Sequence, residues 1–164
     1  MSNLFSTAGM QIHIGDAPMA FNGTDFVASD FDSVTWTEIG GHTNLGASGD
    51  TSELITSNHI ARARTRKAKG PRNAGSQIIV MDLDYADAGQ VALIAGEKTP
   101  YTYPIRLTLN DAPPGGTPSQ RLYVALIMTQ SEQWDEATSL NKLNVTLEID
   151  SNIVRVAAAE AGGG

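Results

Sequence analysis

Apolar and polar residues alternate in several short segments of this 164-residue chain. The alternation is found in MQIHI, SVTWTEI, QIIVMDL, YTYPIRLTL and LNVTLEI, and QRLYVALIM forms a longer apolar run. A period of two places successive side chains on opposite faces of a β-strand, so the pattern predicts six or seven strands. Pro104 cannot donate to a ladder, which predicts an edge strand or a bulge at YTYPIRLTL.

One segment, DYADAGQVALIAG, has the periodicity of a helix, and we predict one helix over about residues 85–95. Asp84 is the predicted N-cap, Asp87 lies three residues later as in a capping box, and Gly96 is a predicted left-handed stop. Gly89 costs about 1 kcal/mol relative to Ala, so the helix needs packing to persist. The predicted apolar face consists of Ala88, Val91, Ala92 and Ala95.

The order of these elements predicts an α+β fold that is mainly β, in a single domain spanning residues 1–156. Residues 1–33 are predicted to form an N-terminal arm or loop region, and 40–53 and 60–75 long loops or an arm. The segment 157–164 has nothing to bury and is predicted to be a flexible tail. No internal repeat and no linker divides the chain.

Composition narrows the classes of function. The formal net charge is −7 and the sequence pI is about 4.8, which argues against the whole molecule coating DNA or anionic lipid. There is no cysteine, which excludes disulfides and thiolate metal sites. The start of the chain lacks the pattern of a signal peptide, and the apolar runs are too short to span a bilayer. We therefore expect synthesis in a cytoplasm and no membrane binding by this chain.

No motif predicts catalysis. Asp82, Asp84 and Asp87 are close enough in sequence to suggest a divalent cation site, but the last two have a structural role at a helix N-terminus. GASGDTS lacks the lysine of a phosphate-binding loop, and there is no nucleophile elbow. We expect no enzyme activity, no metal and no cofactor. The histidines lie far apart in dissimilar contexts: His13, His42 and His59.

Positive charge is concentrated in one segment of this acidic chain, called here the basic stretch. It contains six of the eleven lysines and arginines: Arg62, Arg64, Arg66, Lys67, Lys69 and Arg72. The three arginines at its start recur with period two, so a strand would project them from one face. Self-association, nucleic-acid binding and a solvated loop all remain open. Base stacking has little support, because no aromatic residue occurs between Trp36 and Tyr85.

The order of motifs resembles that of the major tail tube proteins of long, non-contractile-tailed bacteriophages, from about Trp36 to Val154. It comprises WTEIGG, a long polar loop, AKG, GSQIIVMDLDYADAGQVALIAG, YPIRLTLND, RLYVALIMTQ and LNVTLEID followed by IVRV. The architecture is shared with the tube proteins of contractile and type VI secretion systems, which we keep as an alternative.

The resemblance implies a β-sandwich or barrel-like tail-tube fold with one flanking helix. It further implies hexameric rings that stack into a tube, the conduit through which DNA is ejected without specific binding. The implied location is the virion tail, after assembly in the host cytoplasm. The implied partners are other copies of the chain, the tape measure protein, the tail terminator and the baseplate or tip.

The resemblance does not extend to the arginines. We therefore treat the basic stretch as a hypothetical contact between subunits or rings, where its charge would meet the acidic surface of another copy. A nucleic-acid-binding module that uses Arg62 to Arg72 remains the alternative from a different class.

Overall fold

A computed structural model describes residues 4–162, and in this part of the chain strands greatly outnumber helices. The mainly β prediction is confirmed. The elements in chain order are β1 (Gln11–Gly15), a 3-10 turn (Ala28–Phe31), β2 (Trp36–Glu38), β3 (His42–Asn44), β4 (Thr51–Ser57), β5 (Arg66–Asn73), β6 (Ser76–Asp82), α1 (Ala88–Glu97), β7 (Thr102–Thr108), β8 (Gln120–Gln133), β9 (Lys142–Ile149) and β10 (Val154–Val156).

Eight strands form one antiparallel sheet, with the order β2-β1-β7-β8-β9-β6-β3 and with β10 paired to β8. The two edge strands, β2 and β3, are neighbours in sequence and are joined only by residues 39–41. Within this link Ile39 N–H donates to Ile12 O (2.9 Å), and Gly41 O accepts from Asp82 N–H (2.8 Å). The link thus binds both β1 and β6, so the sheet curls into the barrel-like form that the resemblance implies.

The inner face of the curled sheet holds the main hydrophobic core, as the alternation predicts. Ile12 and Ile14 are fully buried, and so are Ile79 and Met81 on β6. The β9 strand alternates buried and half-buried residues along its whole length. A buried Leu or Ile side chain contributes about 1.5–3 kcal/mol, so the alternation specifies the register of these strands.

The outer face is covered near β8 by a smaller apolar layer from the N-terminal region. Phe26 and Phe31 pack there edge-to-face, with ring centroids 5.3 Å apart, against Leu122 and Val124. This part of β8 is therefore buried on both faces, which explains its long apolar run. The predicted N-terminal loop region is largely irregular, but it supplies this layer.

Pro104 does not lie on an edge strand, so that prediction is wrong. Its strand, β7, lies between β1 and β8, and Pro104 opposes Val124. The pairing of β1 with β7 ends at Ile105, so Pro104 lies where the β1 ladder has already ended. Gly15 lies beside it, and a Cβ at Gly15 would be 3.1 Å from the Pro104 Cδ. The proline is tolerated because β1 stops at this point.

The helix begins later than predicted. Its N-cap is Asp87, whose side chain accepts from Gln90 N–H (2.9 Å), and the first helical residue is Ala88. Asp84 is not the N-cap; its side chain accepts from Ala86 N–H (2.9 Å) in the preceding turn. Gly96 is inside the helix rather than a left-handed stop, and α1 continues to Glu97.

The buried face of α1 also differs from the predicted face. The alanine-rich stripe is largely exposed, and Val91 is 49% exposed. The residues buried instead are Gly89, Gln90, Leu93 and Gly96. Two glycines face the sheet because the helix lies very close to it. A Cβ on Gly96 would be 2.6 Å from the Ile127 Cδ1.

Parts of the predicted loops are strands. The segment 40–53 contains β3 and the start of β4, and 60–75 contains β5. In the predicted tail 157–164, Ala159 exchanges two backbone hydrogen bonds with Thr117 (2.8 and 3.0 Å). Residues 163–164 of that tail, like residues 1–3 of the predicted N-terminal arm, lie outside the described residues.

Candidate assembly surface

The strands β4 and β5 form a separate two-stranded antiparallel sheet, called here the hairpin (residues 51–73). Its register runs from Thr51 opposite Asn73 at the base to Ser57 opposite Arg66 near the tip. All residues of the two strands are exposed except Ser52 and Gly70, which are half-buried. An isolated two-stranded hairpin is marginally stable in water, so this hairpin gains from any partner that covers it.

The hairpin brings together all six residues of the basic stretch, although not on one strand face. Arg62 and Arg64 lie in the connection between β4 and β5, and the strand begins only at Arg66. Arg66 and Lys67 are consecutive strand residues and project to opposite faces. The one-sided row expected of a strand therefore does not form, and four of the six cations lie at or near the tip: Arg62, Arg64, Arg66 and Lys67.

Most of this positive charge has no ion-pair partner among residues 4–162. Arg72 forms an ion pair with Asp50 at 2.6 Å at the base of the hairpin. In the part of the chain that the structure describes, no carboxylate lies within 4.0 Å of the other five cations. Exposed charges of one sign produce a local potential that attracts an acidic surface, and the rest of this chain is strongly acidic.

The hairpin also exposes large apolar side chains, which the sequence reasoning overlooked. Leu54 is 62% exposed, Ile55 is 49% exposed and Ile60 is fully exposed. The indication in the sequence was the occurrence of ELIT and HIA inside otherwise polar segments. Isoleucine and leucine grouped with arginine on a projecting element are typical of a protein interface rather than a solvated loop.

An open cleft of about 920 Å³ separates the base of the hairpin from the adjacent end of the sheet. Its lining includes one basic residue, Arg72, and that residue is already paired with Asp50. An excess of negative charge disfavours a phosphate-bearing ligand here. The carboxylates that line the cleft are Asp25, Asp50, Glu53, Glu148 and Asp150.

The aspartates considered for a cation site have separate partners. Asp82 forms an ion pair with Lys142, whereas Asp84 and Asp87 accept backbone hydrogen bonds at the start of α1. Within residues 4–162 no group of three or more His, Asp or Glu side chains is arranged to hold a metal ion. None of the described helices is long and apolar enough to cross a membrane.

The histidines lie in three different environments. His13 lies opposite Arg106 on the outer sheet face; burial first, and then the Arg106 charge, lower the pKa of His13. Arg106 lies 4.8 Å from the centroid of the Trp36 ring. His42 contacts Met10 O and Ile39 O through its two ring nitrogens, beside the link that closes the sheet. His59 lies in the hairpin connection.

The residues that carry the sequence resemblance meet around that same link. Asp87 accepts from Gly40 N–H (3.1 Å), and Gln90 donates from its Nε2 to Gly40 O (3.0 Å) and Asp82 O (2.8 Å). Gln90 also accepts from Asp84 N–H (2.9 Å). Its buried amide therefore joins α1, the link and the end of β6. Two segments, residues 39–41 (IGG) and residues 87–90 (DAGQ), thus form one packing unit that holds the barrel closed.

The chain was compared with known proteins at three levels. No protein-family model matches it, and no curated protein matches significantly. Solved structures do match. A chain of the anti-feeding prophage (AFP) baseplate, 6-fold symmetrised, has a TM-score of 0.68 at 12% identity, over 96% of this chain and 98% of the other. The SPP1 tail tube has a TM-score of 0.67 at 9% identity, over 96% and 82%.

A third similar structure is a chain of the PVC sheath-tube complex in its extended state, part of an extracellular contractile injection system. Its TM-score is 0.64 at 12% identity, over 94% of this chain and 92% of the other. The chain therefore has the tail-tube fold, with similarity to both phage and contractile-system proteins. At this level of identity the similarity establishes the fold, and the three similar structures described above come from tail tube, sheath-tube and baseplate assemblies.

Proposed function

We propose that this protein is a structural subunit that assembles into stacked hexameric rings and forms the tube of a phage tail, the conduit for DNA ejection. The observation that carries the proposal is the projecting hairpin, which exposes unpaired cations and large apolar side chains on a tail-tube fold. A closed ring also offers strand partners to the free edges of this two-stranded sheet. The 6-fold symmetry of the similar AFP baseplate supports six subunits per ring.

In this proposal the hairpin contacts a neighbouring subunit or ring. The five hairpin cations that have no ion-pair partner among the described residues meet the acidic surface of another copy, while Leu54, Ile55 and Ile60 become buried there. Charge complementarity sets orientation and rate of association, and the apolar contacts add affinity. The other partners are the tape measure protein, the tail terminator and the baseplate or tip. DNA passes through without specific binding, and no step requires a catalytic residue or cofactor.

A tube subunit of a contractile or type VI secretion system fits the same fold, because the similar structures include contractile systems. The two proposals differ in whether the tube acts inside a sheath. Co-purification of the tube with a sheath protein from its native source favours the contractile system. Its isolation from virions with long, sheathless tails favours the phage tail.

The test is electron microscopy of purified protein at high concentration, with a matched pair of charge variants. Arg62→Glu with Arg64→Glu changes the tip, outside both strands, and we expect it to abolish tubes. Lys98→Glu with Arg155→Glu makes the same change in net charge at exposed positions elsewhere, and we expect normal assembly. Absence of rings and tubes from the unmodified protein refutes the proposed function, and normal tubes from the tip variant refute the role of the hairpin.

The same proteins also test nucleic-acid binding, the alternative function. A binding site that uses the basic stretch would retard DNA in a salt-dependent way, because phosphate contacts release counterions. The tip variant would then lose DNA binding and keep assembly. We expect the reverse at physiological salt: no retardation by either protein, and loss of assembly in the tip variant.

A further inference from the structure

Large apolar side chains are also exposed at the end of the sheet opposite the hairpin. Trp134 and Leu140 lie in the connection between β8 and β9 and are 69% and 66% exposed. Tyr85, just before α1, is 67% exposed. These segments are tied together, because Leu83 N–H donates to Asn141 O (2.9 Å). The three exposed side chains define what we call the aromatic end.

The aromatic end is ordered without being part of either core. The Tyr85 hydroxyl donates to the Glu132 carboxylate (2.7 Å), which orients the ring while leaving it exposed. Neither hydrophobic core includes Tyr85, Trp134 or Leu140. Tryptophan and tyrosine are enriched among the residues that dominate binding energy at interfaces. Two such side chains at one end of a subunit, with the exposed Leu140 beside them, indicate a binding surface.

The charge of the aromatic end is opposite to that of the hairpin. Lys142, the one basic residue in the segment 131–142, is already paired with Asp82. A guanidinium placed over an exposed Trp or Tyr ring is attracted by the ring's negative face, and nearby carboxylates add to the attraction. The hairpin supplies arginines and isoleucine. The carboxylates of the aromatic end are Asp84, Glu132, Asp135 and Glu136.

The two surfaces are at opposite ends of the same strands. The hairpin joins the sheet where Ser76 opposes Glu148, and the aromatic end begins where Asp82 opposes Lys142. The two pairs are six residue steps apart along β9, which is about 20 Å along the strand. Contact between unlike surfaces at opposite ends is heterologous, so it continues from one copy to the next and builds an open stack.

We infer that the hairpin of one copy binds the aromatic end of another copy, with Ile60 and the tip arginines against Tyr85, Trp134 and Leu140. This inference rests on the proposed function and deepens it, because it assigns the two sides of the contact that stacks one ring on the next. The occupant of the aromatic end is thus a second copy of this chain, selected by complementary charge and by apolar area.

Cysteine cross-linking tests this contact directly, because the chain contains no cysteine and gives no background. Ile60→Cys protein is mixed with Leu140→Cys protein under assembly conditions, oxidised and analysed on a non-reducing gel. The control mixture pairs Ile60→Cys with Val27→Cys, another exposed apolar position that is 57% exposed and outside both surfaces. A disulfide requires Cα atoms about 4.4–6.8 Å apart. We expect at least about ten times more mixed dimer from the first mixture.

A second measurement uses Trp134→Ser, a change at an exposed position that leaves thermal unfolding of the subunit unchanged. We expect the concentration needed for tubes to rise at least about tenfold, with free rings remaining. Tubes that form at the normal concentration, or equal cross-linking in the two mixtures, overturn the contact while leaving the tube function in place. Absence of rings and tubes from the unmodified protein overturns the proposed function, and this contact with it.

Discussion

Gly89 gives the sharpest test of the fold, because helix propensity and packing predict opposite results. It lies in the first turn of α1 and is buried against the link that closes the barrel. Replacing an interior helical glycine with alanine gains about 1 kcal/mol of propensity. However, a Cβ at this position would be 2.5 Å from the Ile39 Cα and 2.7 Å from the Glu38 carbonyl carbon. Backbone atoms cannot rotate away from such a contact.

The packing cost exceeds the gain. Relief requires the helix to move away from the link, which stretches the bonds that Gln90 and Asp87 make to Gly40. Overpacking a core costs about 1–3 kcal/mol, and each weakened hydrogen bond costs about 1 kcal/mol more. After subtraction of the propensity gain, we expect Gly89→Ala to lower the free energy of unfolding by about 2 kcal/mol or more. For a chain of this size that lowers Tm by about 4–8 °C.

Urea and thermal unfolding of the subunit, at concentrations below assembly, measure this change. The matched control is Gly49→Ala, because a Cβ at Gly49 would have no neighbouring atom within 4 Å and the φ of Gly49 is not left-handed. We expect the control to be neutral or slightly stabilising. A Gly89→Ala protein at least as stable as the original would refute the close approach of the helix to the link.

The strands were predictable because buried and exposed residues alternate along each strand, and this alternation is visible in the sequence. Ile12, Ile14, Ile79 and Met81 all point into the barrel, as their period-two spacing requires. The helix face was not predictable in this way. The alanines have helical spacing, but the burial of Gly89 is determined by a backbone fifty residues earlier in the chain. A contact between such distant segments leaves no periodicity in the sequence.

The candidate site was only partly predictable for a related reason. Clustered positive charge is visible in the sequence, so the basic stretch could be identified. Its arrangement was not, because the β4–β5 turn falls among the arginines and places Arg62 and Arg64 outside the strand. The exposure of Ile55 and Ile60 was overlooked, because single apolar residues inside polar segments have no periodicity that would assign them to a buried or an exposed face.

Two further predictions concern the buried amides. Gln90→Leu keeps the side-chain volume but leaves Gly40 O and Asp82 O without their donor; we expect a loss of at least about 2 kcal/mol in urea unfolding. Tyr123→Phe removes the buried hydroxyl that donates to Gln77, with an expected loss of about 1–3 kcal/mol. Burial raises the pKa of Tyr123, so the folded state retains a proton that the unfolded chain releases above about pH 10. Stability therefore falls as pH rises beyond that value, by about 1.4 kcal/mol per pH unit, and this slope is reduced in Tyr123→Phe.

Barrel closure and assembly depend on separate parts of this molecule. Substitutions can therefore alter the contacts between copies without altering the fold of the subunit. The packing unit that holds the barrel closed is buried and joins Gly40, Gly89 and Gln90. Substitutions there change the stability of the fold, and they affect assembly only because an unfolded subunit cannot assemble. The hairpin packs mainly on itself and is exposed, so we expect substitutions such as Arg62→Glu to leave folding intact and to act on contacts between copies. Such a division is compatible with a fold shared at 9–12% identity, as in the similar structures, because partner surfaces can then diverge without opening the barrel.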